Sequence, residues 1–150
     1  MESMEWFWEQ CIVQRLDFAT LRDGCRFRYR DYACSIERRC GHWEGFVVLH
    51  GDVVEMDIAA LDALTVHGGV TSFERVKEEE NSKRALTRIG FHCAHRGDFA
   101  LDPLSAEHVD PGSPLWRGQT FRTFSYVRDQ LRALVDQLAA QQTSRKSQKE

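Results

Sequence analysis

Arg26-Phe27-Arg28-Tyr29-Arg30-Asp31-Tyr32-Ala33-Cys34-Ser35-Ile36-Glu37-Arg38-Arg39 is followed by Cys40-Gly41-His42-Trp43 and then by Glu44-Gly45-Phe46-Val47-Val48-Leu49-His50. Aromatic and β-branched residues dominate both runs, with Phe27, Tyr29, Tyr32 and Ile36 in the first and Phe46 to Leu49 in the second, which is the composition of a half-buried pleated surface. Cys40-Gly41-His42 reads as the turn between them. The stretch is a hairpin, and the sheet grows outward from it.

Upstream, residues 4 to 22 carry Trp8, Ile12, Leu16 and Ala19 at helical spacing, opposed by Glu9, Gln10, Gln14 and Asp17, with Ser3 as a cap and Gly24 as a stop. This predicts an amphipathic helix with Trp8, Ile12, Leu16 and Ala19 as its apolar stripe. Trp6, Phe7 and Trp8 together are more aromatic surface than one stripe hides, so Trp6 and Trp8 are candidates for contact with a partner or a second copy.

Downstream, Asp57 is placed to cap a short helix through Ile58, Leu61 and Leu64, and Thr65 to Phe73 reads as a strand interrupted by Gly68 and Gly69. Arg75 to Arg84 reads as a solvated connection, and Leu86 to His95 as a further strand. Arg96 to Gln119 holds all three prolines, Pro103, Pro111 and Pro114, and reads as a long surface loop. The last helix is capped by Thr123 and buries Val127, Leu131, Leu134, Val135 and Leu138 against a polar face of Arg128, Asp129, Arg132, Asp136 and Gln137. Two long helices and about four strands without regular alternation predict an α+β fold: an antiparallel sheet packed by an N-terminal and a C-terminal helix. Residues 1–142 form the one expected domain, and the polar end, 143–150, is expected to be disordered.

The chain has 150 residues and a formal net charge of −3, which gives no global attraction to nucleic acid or anionic lipid. Arg26, Arg28, Arg30, Arg38 and Arg39 are the local exception. They give nucleic-acid binding its weak support, since arginines on the solvent side of a strand need no ligand. No run approaches a membrane span and the start lacks a secretion signal, so a cytoplasmic location is expected. Five cysteines at irregular spacing, with no CxxC pair, predict reduced thiols rather than a disulfide framework or zinc knuckle.

Two segments carry candidate chemistry. Adjacent glycines in Val66-His67-Gly68-Gly69-Val70-Thr71 mark a place where something approaches the backbone closely: a ligand, a neighbouring strand or an aromatic ring. In Ile89-Gly90-Phe91-His92-Cys93-Ala94-His95-Arg96-Gly97-Asp98, strand alternation turns Ile89, Phe91 and Cys93 inward, making Cys93 a buried small hydrophobe, and turns His92 outward with Arg88. The same alternation puts His67 and Thr71 on one side of their strand. With the two strands adjacent, His67, Thr71 and His92 share a face, while His95, Arg96 and Asp98 at the strand end add a base, an anion contact and a carboxylate. Read as a metal centre, His67, His92, His95 and Asp98 would hold a divalent transition metal such as zinc and activate a water for hydrolysis. No cofactor is expected on the binding reading.

Taken with Cys34-Ser35-Ile36, Gly41-His42-Trp43-Glu44-Gly45-Phe46-Val47 and Phe124-Ser125-Tyr126-Val127, these two segments resemble a widespread family of uncharacterised phage and prophage proteins. Its members carry HGG(L/V)T and GFDCAHxGD segments in this order. The resemblance spans residues 31 to 140 and leaves the first helix, within 1–24, as an addition to the family core. It implies a mobile-element origin. Where the family has aspartate in GFDCAH, this chain has His92, which cannot orient a neighbouring imidazole as a carboxylate does. The resemblance and the composition together lead to an expectation of a non-enzymatic accessory protein that binds a host defence protein or a small molecule, acting as an anti-CRISPR-like or signal-sequestering inhibitor. A homodimer through the first helix is part of that expectation.

Overall fold

The computed structural model describes residues 3–50, 58–77 and 85–149. Helix α1 (Ser3–Thr20) leads into strands β1 (Gly24–Tyr29), β2 (Tyr32–Arg39) and β3 (His42–His50); then come α2 (Ile58–Asp62), β4 (Ser72–Lys77), β5 (Ala85–His92) and α3 (Phe124–Lys149). The strands form one antiparallel sheet in the order β1-β2-β3-β5-β4. The class is α+β as expected, with one more strand. The extra strand arises because the first predicted run folds back on itself at Arg30 and Asp31, both at positive φ (50° and 66°), which places Tyr29 opposite Tyr32. Asp tolerates that conformation better than most residues, but without a glycine the turn leaves little trace in the sequence.

Alternation then sorts the sheet into two faces. Ile36, Trp43, Val47, Leu49, Ile89 and Phe91 point inward and are at most 3% exposed. Onto them α3 lays Val127, Leu131, Leu134, Val135 and Leu138, the predicted stripe, none more than 1% exposed. Thr123 caps this helix through its hydroxyl, which accepts from the Tyr126 amide. Asp17 of α1 reinforces the same end, accepting from the Phe124 amide (2.7 Å) and the Trp43 indole (2.6 Å). The backbone of α3 stays helical through Lys149, where disorder was expected; the Gln, Ala, Lys and Arg residues of that end have good intrinsic helix propensity.

Helix α1 faces the opposite way from its sequence reading. Its inner side is Phe7, Gln10, Cys11, Gln14 and Phe18, all buried, whereas Met4, Trp8, Ile12 and Leu16 are exposed by 51%, 47%, 59% and 66%. The reason lies in what the helix meets. Gln14 donates to the carbonyls of Gly41 (2.9 Å) and Leu101 (2.8 Å), and Gln10 accepts from the Phe121 amide (2.8 Å), so the polar side chains satisfy backbone groups of the turn and loop beneath them. Phe7 packs on Phe99 and Trp116, and Phe18 on Trp43 and Phe121.

Several boundaries also move. Residues 65 to 71 are not a strand: the chain leaves α2 irregularly, turns at 66–69, and pairs only from Ser72. Arg75 to Lys77, read as solvated connection, close β4, and β5 ends at His92 rather than His95. Asp57 and residues 78–84 lie outside the described residues. The loop from Arg96 to Gln119 is partly internal, burying Phe99 (0%) and Leu101 (8%) and containing 3-10 helices at Pro103–His108 and Pro114–Trp116, capped by Asp102 and Ser113. Among the described residues no helix is long and apolar enough to cross a membrane.

Candidate functional site

The glycine pair explains the site's geometry. The Gly69 amide donates to the Val66 carbonyl (2.8 Å), closing a four-residue turn with His67 and Gly68 at its centre and Gly68 at φ 69°. That turn lifts the His67 backbone onto α3, where its amide donates to Gln130 (2.9 Å). What approaches the glycine is an aromatic ring: a Cβ at Gly68 would lie 2.1 Å from His95 Nε2. Gly69 has nothing within 4 Å of the corresponding position.

His67 is held at both ring nitrogens. Nε2 lies 2.7 Å from Asp98 Oδ2, and Nδ1 lies 2.7 Å from the Tyr126 hydroxyl. An ionised carboxylate only accepts, so Nε2 carries the hydrogen, and in the neutral ring Nδ1 then accepts from Tyr126. Asp98 is itself tied three ways, taking hydrogen bonds from His67, from Arg122 Nε (3.0 Å) and from the His95 amide (3.0 Å), with its side chain 1% exposed. Burial would push this carboxyl up, but the three donors together outweigh it and hold the group below its ordinary 3.8.

A row of imidazoles runs outward from this network. His95 meets His67 edge-on at 5.9 Å and stacks on His92 at 4.1 Å with 13° between planes, and His42 lies 6.0 Å beyond His92. His92 has its pKa lowered, first by burial and then by the neighbouring His95 and His42. Cys93 points into the core as expected, 1% exposed, and burial pushes its thiol up to about 12. It is no nucleophile at neutral pH.

The expected cluster therefore divides. Thr71 and His92 line one concavity of about 430 Å3 on the outer side of the sheet, together with Arg39, Glu44, Glu74 and Arg88. His67 belongs with Asp98 and Tyr126 against α3, and only His95 bridges the two groups. Arg96 is exposed and makes no hydrogen bond to the network among the described residues. Tyr126, Arg122 and Gln130 carry roles that the sequence pattern does not assign; Tyr126 lies within Phe124-Ser125-Tyr126-Val127, while Arg122 and Gln130 give no signal. Trp6 does not face outward either, since its indole donates to the Gln119 carbonyl. Trp8 does.

Chemically, a hydroxyl, an imidazole and a carboxylate in series form the arrangement of a proton relay. Burial raises the Tyr126 hydroxyl's pKa, which disfavours a phenolate, and the concavity at His92 is not lined by His67, Tyr126 or Asp98. As a metal centre the set fares no better, because both His67 nitrogens are engaged, and among the described residues no group of three or more His, Cys, Asp or Glu could hold an ion.

A concavity of about 650 Å3 opens over Arg26, Arg28, Ala33, Ser35, Glu37, Val48, Glu74 and Arg88. Arg88 lies flat over the Phe46 ring (4.1 Å to its centre) and pairs with Glu37 (3.3 Å) and Glu74 (3.0 Å). The arginines weighed as a basic stripe are dispersed. Arg26 and Arg28 flank this concavity, whereas Arg30 pairs with Asp136, Arg38 lies over Phe18, and Arg39 sits 3.9 Å from Glu44. Comparison with protein-family models, with curated proteins and with solved structures finds no match for the chain.

Proposed function

We propose that this protein acts by binding, as an accessory protein of a phage or other mobile element that antagonises a host antiviral defence system. The observation that carries the reading is the contrast between its two candidate regions. Two of the groups able to do chemistry are committed: His67 is bonded at both nitrogens and Cys93 is buried with a raised pKa. The outer sheet face offers a mostly apolar concavity of about 650 Å3 rimmed by both signs of charge, of the size and lining that suit a peptide segment or a small amphipathic molecule. A polyanion would meet Glu37 and Glu74 there as well as the arginines. The resemblance to phage and prophage proteins supports the biological setting.

The test is phage plating on a host carrying a defence system, with and without this chain expressed. Restored plating is expected with the natural sequence and not with Arg26→Glu/Arg28→Glu, whose side chains rim the concavity without holding the core. Equal rescue by both forms would remove the sheet face from the reading, and no rescue across a panel of defence systems would remove the setting.

A second reading, hydrolysis, is favoured by the Tyr126-His67-Asp98 series alone. It predicts turnover of an ester or phosphoester that His67→Ala abolishes. The metal-assisted form, with zinc on His67, His92, His95 and Asp98, would require His67 to give up one of its two partners.

A further inference from the structure

Strand register lays the outer face of the sheet out in rows. Arg28 of β1 stands beside Ala33 of β2, Val48 of β3, Arg88 of β5 and Glu74 of β4, and the next row runs Arg26, Ser35, Phe46 and Gly90. Paired residues point to the same side of a sheet, so these side chains share one surface. Ala33, Ser35 and Val48 are small, which keeps the surface low over β2 and β3 while longer side chains rise on both flanks. From β1 to β5 is a span of three strand spacings, about 14 Å. The trough so formed is the concavity of about 650 Å3, the size of a site for one small ligand.

The two flanks differ in charge. Arg88 is shared by Glu37 (3.3 Å) and Glu74 (3.0 Å) and lies over the Phe46 ring, so its guanidinium is engaged within the fold. Arg26 and Arg28, on the edge strand, are exposed and form no ion pair among the described residues. A second copy paired edge to edge along β1 would set these arginines against their own counterparts, and like charges repel. A long polyanion crossing the trough would run onto Glu37 and Glu74. A compact ligand with its negative charge at one end meets the free arginines alone.

We infer that the trough takes a small molecule with a flat apolar body and a terminal carboxylate, sulfonate or phosphate, the body resting on Ala33 and Val48 and the anion held by Arg26 and Arg28. Guanidinium forks match the paired oxygens of all three groups. The inference rests on the reading of the outer sheet face as the binding surface and names its ligand class.

Two fluorescent probes test it, anilinonaphthalene sulfonate and N-phenylnaphthylamine, which share an aromatic body and differ in the anionic group. Titrated into the full chain, the sulfonate should saturate a single site, with the uncharged probe bound about tenfold more weakly. Arg26→Gln/Arg28→Gln should raise the dissociation constant of the sulfonate about tenfold and leave that of the uncharged probe in place. Ala33→Phe fills the trough from the solvent side and should remove both probes, which separates this site from the exposed Met4-Trp8-Ile12-Leu16 ridge of α1. Circular dichroism of both variants should match the unaltered chain. Equal affinity for the two probes, a sulfonate site indifferent to Arg26→Gln/Arg28→Gln, or one that survives Ala33→Phe would each overturn the inference. Phage plating keeps the two readings apart. A selective sulfonate site in a chain that rescues no plating leaves the inference standing and removes the setting, whereas rescue that Ala33→Phe abolishes, with neither probe bound, keeps the sheet face and overturns the ligand class.

Discussion

The His95 ring fills the space that a side chain at Gly68 would occupy, with its Nε2 2.1 Å from where a Cβ would stand. Gly68→Ala therefore meets two penalties, a positive φ of 69° that L residues adopt at a cost of about 1–3 kcal/mol and the displacement of a ring stacked on His92. The loss in urea unfolding should be about 2–4 kcal/mol. His95→Ala in the same chain should recover the steric part and leave the backbone part. An unchanged midpoint for Gly68→Ala alone would show that the turn is not held as described.

Asp98 gives the fold an acid-sensitive fastening. Its carboxyl is below the ordinary 3.8 in the folded chain because three donors outweigh its burial. A depressed carboxylate contributes stability that is fully present above the unfolded value and lost as pH falls through the folded one. Unfolding free energy should thus drop below about pH 4, and Asp98→Asn should flatten that part of the profile. At neutral pH the variant should lose about 3 kcal/mol, since it strips the Arg122 and His67 contacts of their charge. Parallel profiles for the two proteins would place the acid transition elsewhere.

Sequence periodicity located what depends on near neighbours. The α3 stripe, the turn at Cys40-Gly41 and the inward direction of Cys93 all follow from side-chain alternation or helical spacing, and all hold. The face of α1 did not follow, because Trp8, Ile12 and Leu16 fit helical spacing as well as Phe7, Cys11 and Phe18 do. Distant groups, among them the carbonyls of Gly41 and Leu101 and the amide of Phe121, select the side bearing Gln10 and Gln14. Likewise, His67 was expected beside Thr71 by alternation, and alternation stops at a turn. Asp98, 31 residues away, was reached because both segments fall in the expected cluster, whereas Tyr126, 59 residues away on α3, has a separation no local pattern encodes.

That inversion of α1 can be measured directly. Gln14→Leu leaves the Gly41 and Leu101 carbonyls buried without donors and should cost about 2–4 kcal/mol, although it adds apolar surface to the inner face. Leu16→Gln, on the exposed ridge, should leave the unfolding free energy of the dilute protein within about 0.5 kcal/mol. The opposite ranking would restore the sequence-based orientation.

The cysteines should report the same architecture by their reactivity. Cys40 is exposed, Cys25 half-buried, and Cys11, Cys34 and Cys93 buried. Burial pushes the Cys34 thiol up to about 11 and the Cys93 thiol up to about 12. At pH 8 the thiolate fraction of Cys93 is then about one part in ten thousand, and access is blocked as well. Iodoacetamide followed by mass spectrometry should find Cys40 alkylated first and Cys25 later, with Cys11, Cys34 and Cys93 modified only when denaturant is added. Because the thiolate is the reacting species, raising the pH to 9 should still leave Cys93 untouched. Early labelling of Cys93 in the folded protein would mean that the strand ending at His92 opens to solvent, and with it the His92–His95 stack.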